Sequence, residues 1–250
     1  MAGLLALSLV GGCASTDTAD SGFGDDNDPL EFVNRFTFAT NDVLDTMAIR
    51  PLAATYRFLL PNPVQNGVRN VMRNFGAPVV LFNDLFQGEW DRAETTAMRL
   101  LINSTIGLAG VFDVAADWGY EYHREDFGQT LAVWGAGEGF YLVLPLLGPS
   151  NLRDAVGTGV DSLLDPWPYV LDAATDLSDS EIAGIFIGRR ILEGIDARAR
   201  NIEVIDTLKA ESIDYYARLR SFYRQNRAAA IRNGRPVEIP LPDLELNGDE

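Results

Sequence analysis

The chain has 250 residues, 47% hydrophobic and 10% aromatic, enough for one domain with a packed core or two small ones, which excludes disorder of the whole. Twenty bases against 36 acids give a net charge of −16, which excludes nucleic acid as the main partner because phosphate binding needs surplus cations. A single cysteine, Cys13, excludes a disulfide framework or a cysteine metal cluster, and a single histidine, His123, leaves little room for histidine-based catalysis.

Residues 1–16 carry no charge and read as an apolar segment ending in small residues, the pattern of a processed signal (1–12). Val10-Gly11-Gly12-Cys13 resembles the bacterial lipobox, whose cysteine becomes the lipidated first residue of the mature protein. No Lys or Arg precedes the apolar stretch, so the true start is expected upstream. Three acyl chains at about 0.8 kcal/mol per buried methylene make a permanent anchor. Ala14-Ser15 lacks the aspartate that retains such proteins at the inner membrane, which favours the outer membrane.

Residues 13–27 form an acidic, Ser/Thr/Gly-rich linker, and residues 238–250 an acidic tail. The acids of 17–31 and 238–250 account for −11 of the −16, leaving the body mildly acidic. Nineteen of its 20 bases are arginine, with Lys209 the exception. That suits bidentate contacts to carboxylate or phosphate and equally reflects codon bias.

In the body, Pro51 is expected to open a helix over 52–60. Asn62-Pro63 starts another, with Val64, Val68, Val71 and Phe75 on one face before Gly76. Pro78 opens a third, closed by Gly88, apolar except for Asn83, Asp84 and Gln87; so apolar a helix is packed deeply or faces lipid. Asp91 caps a fourth over 92–102. No stretch reaches 18 apolar residues. Residues 119–148 mix glycine with aromatic and β-branched residues, a hairpin-like excursion ended by Pro145, Gly148 and Pro149. Ser178 to Glu181 forms a capping box, and an apolar stripe from Ile191 to Tyr223 predicts a long C-terminal amphipathic helix stopping at Asn233-Gly234. With 11 bases and six acids over 189–235, this third meets anionic headgroups or an acidic partner, or is a solvated face beside an ordinary core stripe.

Motifs for chemistry are sparse. Gly135-Ala136-Gly137-Glu138-Gly139 lacks a βαβ setting and reads as a turn. Asp113, Asp117, Glu121, His123, Glu125 and Asp126 crowd acids around the histidine, either as a divalent-cation site or as solvated loop acids. Trp118, Tyr120, Tyr122, Trp134, Trp167 and Tyr169 suit an interfacial belt or core packing equally. The expectation is a mainly helical, membrane-anchored protein that is not an enzyme, without metal or cofactor.

Residues 28–237 resemble the MlaA/VacJ family of outer-membrane phospholipid-transport lipoproteins. The resemblance rests on Asp28-Pro29-Leu30-Glu31, Asn34-Arg35, Arg50-Pro51-Leu52-Ala53, Pro61-Asn62-Pro63-Val64, Asn83-Asp84-Leu85-Phe86-Gln87-Gly88, Asn103-Ser104-Thr105-Ile106-Gly107, Glu125-Asp126-Phe127-Gly128-Gln129-Thr130 and Gly148-Pro149-Ser150. It implies a helical ring in the inner leaflet of the outer membrane around a central amphipathic channel. The implied function is removal of mislocalised phospholipids from the outer leaflet to a soluble periplasmic MlaC-like carrier, beside a trimeric porin. On that reading Asn83, Asp84 and Gln87 line the headgroup path, and Phe38, Ala39, Thr40 and Asn41, a loose match to a family segment that governs channel behaviour, hold the channel closed. Ala136 and Phe140 depart from the family pattern. The alternatives are a structural lipoprotein that stabilises porins without moving lipid, and a lipid hydrolase built on His123.

Overall fold

Helix formation starts early and persists through a proline. In the computed structural model, which describes residues 27–235, α1 (Glu31–Leu44) passes through a π-turn (Asp45–Ile49) into α2 (Arg50–Leu59). Pro51 has no N–H to donate and its ring crowds the preceding turn. The wider π-turn, in which the Arg50 amide reaches back to the Asp45 carbonyl, ends just before it, and the rod continues. Cys13, the acidic linker before residue 27 and the acidic tail lie outside the described residues.

The helices expected over 62–76 and 78–88 are one, α3 (Asn62–Gln87), with Pro78 inside it. Pro78 cannot reach the carbonyl of Asn74, and the next carbonyl along, that of Phe75, accepts the Trp167 indole N–H at 2.8 Å. Packing thus overrides the break. Gly88, with φ of 73°, ends α3 in the left-handed conformation that glycine adopts freely. The chain folds back as α4 (Trp90–Thr105), which starts two residues earlier than a cap at Asp91 suggested.

After the short α5 (Val114–Asp117) comes α6 (Phe127–Val133), a helix the glycine-rich composition hid. The hairpin sits later than expected: β1 (Tyr141–Leu144) pairs antiparallel with β2 (Gly148–Asn151), so Gly148 and Pro149 lie inside the second strand. Asn151 caps α7 (Leu152–Leu164). A Cβ on Gly157 would meet Gly128 backbone at 2.3 Å, so α7 crosses α6 at a contact only glycine permits. Then follow α8 (Trp167–Ala174), α9 (Asp179–Arg200), α10 (Ile202–Glu211) and α11 (Tyr215–Ile231). The Ser178–Glu181 capping box opens α9 as read, and the C-terminal stripe runs as three helices, turning at Asn201 and at Ser212–Asp214.

Two small apolar clusters hold this frame. Ala53, Ala199 and Ile202 join α2 to α9 and α10, while Tyr141, Val143 and Tyr216 join the hairpin to α11, with Phe38 of α1 against them. Otherwise the usual polarity is inverted. Among the described residues 18 polar or charged side chains are buried against 11 apolar ones, and the bulkiest side chains sealed from solvent are Gln129, Asn34, Asn83, Thr130 and Asp84. Phe32, Phe58 and Met47 meanwhile stand 88%, 86% and 77% exposed. Burying one such side chain is worth about 1.5–3 kcal/mol, so this exterior needs an apolar neighbour. No described helix is long and apolar enough to cross a membrane.

Candidate functional site

Asn83 and Asp84 sit on the inward face of α3, one turn before its end, and have no exposure at all. Asn83 donates to Asp161 of α7 at 2.9 Å and accepts from Thr130 of α6 at 2.7 Å. Asp161 also accepts the Phe127 amide at 3.1 Å, tying down the first turn of α6. Asp84 accepts from Thr96 of α4 at 2.7 Å and pairs with His123 at 3.1 Å. Gln87, partly exposed, donates to Glu125 at 2.8 Å and to Thr130 at 3.2 Å. Asn83 and Asp84, two of the candidates for a headgroup path, thus spend their polar atoms on contacts that join α3, α4, α6 and α7, because an unpaired buried amide or carboxylate is costly.

This network sets its own titration. Burial pushes the Glu125 carboxyl above the ordinary range, against the pull of Gln87 and Arg92, and burial does the same to Asp161. Burial also acts to raise Asp113 and Asp126, but hydrogen bonds and charge from Arg99 and Asn103 in one case, and from Arg227 in the other, outweigh it and hold both low.

The acids expected to crowd His123 are dispersed. Asp113 takes Arg99 at 2.8 Å, Glu125 takes Arg92, and Asp126 takes Arg227 at 2.6 Å. Among the described residues no three His, Cys, Asp or Glu side chains converge to hold a metal. Nor does His123 have relay geometry. Its Nε2 faces both Asp84 and Thr96, and the Thr96 hydroxyl donates to Asp84, whereas a relay places nucleophile and carboxylate on opposite ring nitrogens.

The 38–41 segment of α1 divides by helix face. Phe38 packs edge-on against Tyr215 and Tyr216, with centroids 5.2 and 5.4 Å away. Asn41 donates to the Leu144 carbonyl and accepts the Leu146 amide, both at 2.9 Å. Ala39 and Thr40 face outward, Thr40 donating only to Phe36 of its own helix. Sequence reading missed the partner of Asn41: Asn34, two turns earlier on the same face, donates to the Tyr141 carbonyl at 3.0 Å and accepts the Val143 amide at 2.9 Å. Two asparagines seven residues apart thus complete the free edge of β1, a spacing visible in the sequence.

Also missed was the use of the basic C-terminal third. Tyr216, Arg220, Tyr223 and Arg227, spaced four, three and four along α11, face inward. Tyr216 and Arg220 share Asp28, while Tyr223 and Arg227 share Asp154. This face of α11 is a row of polar clamps within the fold. The aromatic set divides as well: Trp118, Trp134 and Tyr169 are exposed, whereas Tyr120, Tyr122 and Trp167 are partly buried.

The family model described as MlaA lipoprotein matches residues 26–230. A Shigella flexneri protein named intermembrane phospholipid transport system lipoprotein MlaA is 34% identical over 243 residues, covering 94% of this chain and 90% of that protein. The Escherichia coli (strain K12) protein of the same name is 33% identical, with the same shares covered. A solved structure described as the structural basis for maintenance of bacterial outer membrane lipid asymmetry superposes with a TM-score of 0.71 at 30% identity, covering 82% of this chain and 98% of that one. With the family match spanning most of the helical body, this chain belongs to the MlaA lipoprotein family.

Proposed function

We propose that this protein, anchored through Cys13 at the periplasmic side of the outer membrane, removes mislocalised phospholipids from the outer leaflet through a central channel to a soluble periplasmic carrier. The observation that carries the reading is the inverted polarity: an apolar exterior on described helices none of which is long and apolar enough to cross a membrane, around an interior of paired polar groups. The exterior suits acyl chains of one leaflet, with exposed Trp118, Trp134 and Tyr169 at headgroup level. Drawing a charged headgroup through hydrocarbon costs several kcal/mol or more, and a polar-walled path lowers that cost. Gln87, the only partly exposed member of its triplet, is the candidate that reaches this path, with Asn83 and Asp84 fixing the wall behind it.

The segment Phe38 to Asn41 acts as the gate, through the hairpin turn that Asn41 holds. Deleting Ala39 and Thr40 turns every later residue of α1 by about 200°, carrying Asn41 off the hairpin. The expected outcome is raised outer-leaflet phospholipid and detergent sensitivity; an unchanged envelope overturns the gate.

Liposomes containing the purified protein test the function. Protein-dependent passage of phospholipid from the outer leaflet to a periplasmic carrier is expected, and co-purification with a trimeric porin tests that partner. Absence of transfer leaves a scaffold that stabilises porins. His123→Gln, which keeps a donor toward Asp84, is expected to transfer lipid like the native protein; release of hydrolysed lipid that this variant abolishes would restore the hydrolase. Loss of outer-membrane fractionation in Cys13→Ala checks the anchor.

A further inference from the structure

Between α3, α4 and the segment before α6 lies a cleft lined by Asn70, Arg73, Asn74, Arg99, Asp113 and Tyr122, with a cavity volume of about 20 Å³. That is room for a water, or for one or two oxygens of a tetrahedral anion. Arg73 projects into it, partly buried, its guanidinium 4.1 Å above the Tyr122 ring. Arg99, 5.5 Å from the same ring, is neutralised by a two-point contact with Asp113 at 2.8 and 2.9 Å. Arg73 has no such partner. Every other described arginine withdrawn from solvent holds a carboxylate.

The surroundings raise the demand for an anion. Arg69 and Arg200, which act on Arg73, share Asp196 at 3.2 and 3.0 Å. Arg69, Arg73, Arg99 and Arg200 against Asp113 and Asp196 leave two positive charges in excess, within a chain of −16. Burial, opposed by Tyr122, holds the Arg73 pKa below the ordinary guanidinium value, the mark of a cation short of counter-charge. Two amides stand beside it: Asn70 donates to the Val111 carbonyl at 3.3 Å and Asn74 to Ser104 at 2.9 Å, and each keeps a second N–H.

We infer that the Arg73 cleft binds a phosphate-type anion, with the phosphodiester of a phospholipid headgroup as its occupant and Asn70 and Asn74 as flanking donors. A guanidinium seated over an aromatic ring is restrained in place, and its fork of donors suits two phosphate oxygens. This deepens the transport reading by giving the headgroup a resting site, and it rests on that reading for the lipid, though not for the anion.

The test titrates the full chain in detergent with dihexanoyl-phosphatidylglycerol below its micellar concentration, with sodium phosphate, and with phosphate-free dihexanoylglycerol. Native protein, Arg73→Gln and Arg73→Lys are compared. Affinity for the phospholipid is expected to fall at least tenfold in Arg73→Gln and to recover in part in Arg73→Lys, with no dependence on Arg73 for dihexanoylglycerol. Arg73 makes no ion pair, so its variants are expected to melt with the native protein; Asn74→Ala, expected to weaken the phospholipid severalfold, stands in if they do not. Sodium phosphate binding alone overturns the headgroup assignment, and equal phospholipid affinity in all variants overturns the site. Liposome transfer by the same proteins separates the two ideas. Transfer with Arg73-independent binding removes only the site, while Arg73-dependent binding without transfer removes only the transport reading.

Discussion

Residues 38–41 and 83–87 are both short polar interruptions of apolar helices, yet the structure treats them oppositely. Asn83 and Asp84 bond to α4, α6 and α7, besides the Val79 carbonyl one turn back in α3, and leave no side-chain surface to solvent. In 38–41 only Phe38 and Asn41, one turn apart on α1, dock, and Asn41 holds a turn whose Leu146 and Leu147 are 69% and 70% exposed. A group fixed by many mutual contacts opens only with the whole fold, whereas one held at the end of a hairpin opens locally. The first is a frame, and the second is where the proposed gate would open.

The largest effect that distinguishes them is expected from Asp84→Ala. It strands His123 and Thr96 and removes the carboxylate 3.8 Å from Arg92; breaking a buried charged network in this way costs about 3–5 kcal/mol. Chemical denaturation in detergent measures it, and a loss below about 1 kcal/mol would dissolve the distinction. Asn41→Ala comes next. It removes the partner of the Leu144 carbonyl and the Leu146 amide, a cost of about 0.5–1.5 kcal/mol at so exposed a turn, and hydrogen exchange is expected to speed at the Leu146 amide while amides of α6 stay protected. Uniform loss of protection would place Asn41 in the frame.

Features written in neighbouring residues were legible: the Ser178–Glu181 box, the left-handed Gly88 and the helical class itself. Features that need a distant partner were not. Pro78 reads locally as a break, and only the fold shows that the helix survives it. Asn83 and Asp84 read as pore residues because polar groups on an apolar helix suggest a wet path, and nothing adjacent in sequence reveals Thr130, Asp161 or Thr96 waiting to bond them. The Asn34 and Asn41 spacing was visible, but its meaning depended on an unpaired strand edge 107 residues away. For the candidate sites, then, sequence patterning left open which residues of these helices face the interior.

Acidification separates the two regions more gently. Burial holds Glu125 and Asp161, in the frame, above ordinary values of 4.5 and 3.8. The folded state therefore takes up protons before the unfolded chain does, so their contribution rises as pH falls from 7 and is complete below those unfolded values. Asp126 and Asp214 are held low, and Asp206, hydrogen-bonded by Arg50, sits at about 2. Their stabilisation is complete above 3.8 and disappears as pH falls through their folded values. The expected melting profile is level or slightly rising from pH 7 to 5 and falls below about 4. A steady decline beginning near pH 6 would mean that the frame carboxylates are not held high.

The smallest expected change is also the sharpest control on the movable region. Thr40 neighbours Asn41 but faces outward, and its hydroxyl bonds only the Phe36 carbonyl one turn back in α1. Such back-bonding contributes little to a helix, and alanine is the better helix former by a few tenths of a kcal/mol. Thr40→Ala is thus expected to change stability by less than about 0.5 kcal/mol, with the Leu146 amide exchanging as in the native protein. If the substitution instead costs as much as Asn41→Ala, both faces of α1 are docked, no local opening is available at 38–41, and the gate proposed there is overturned.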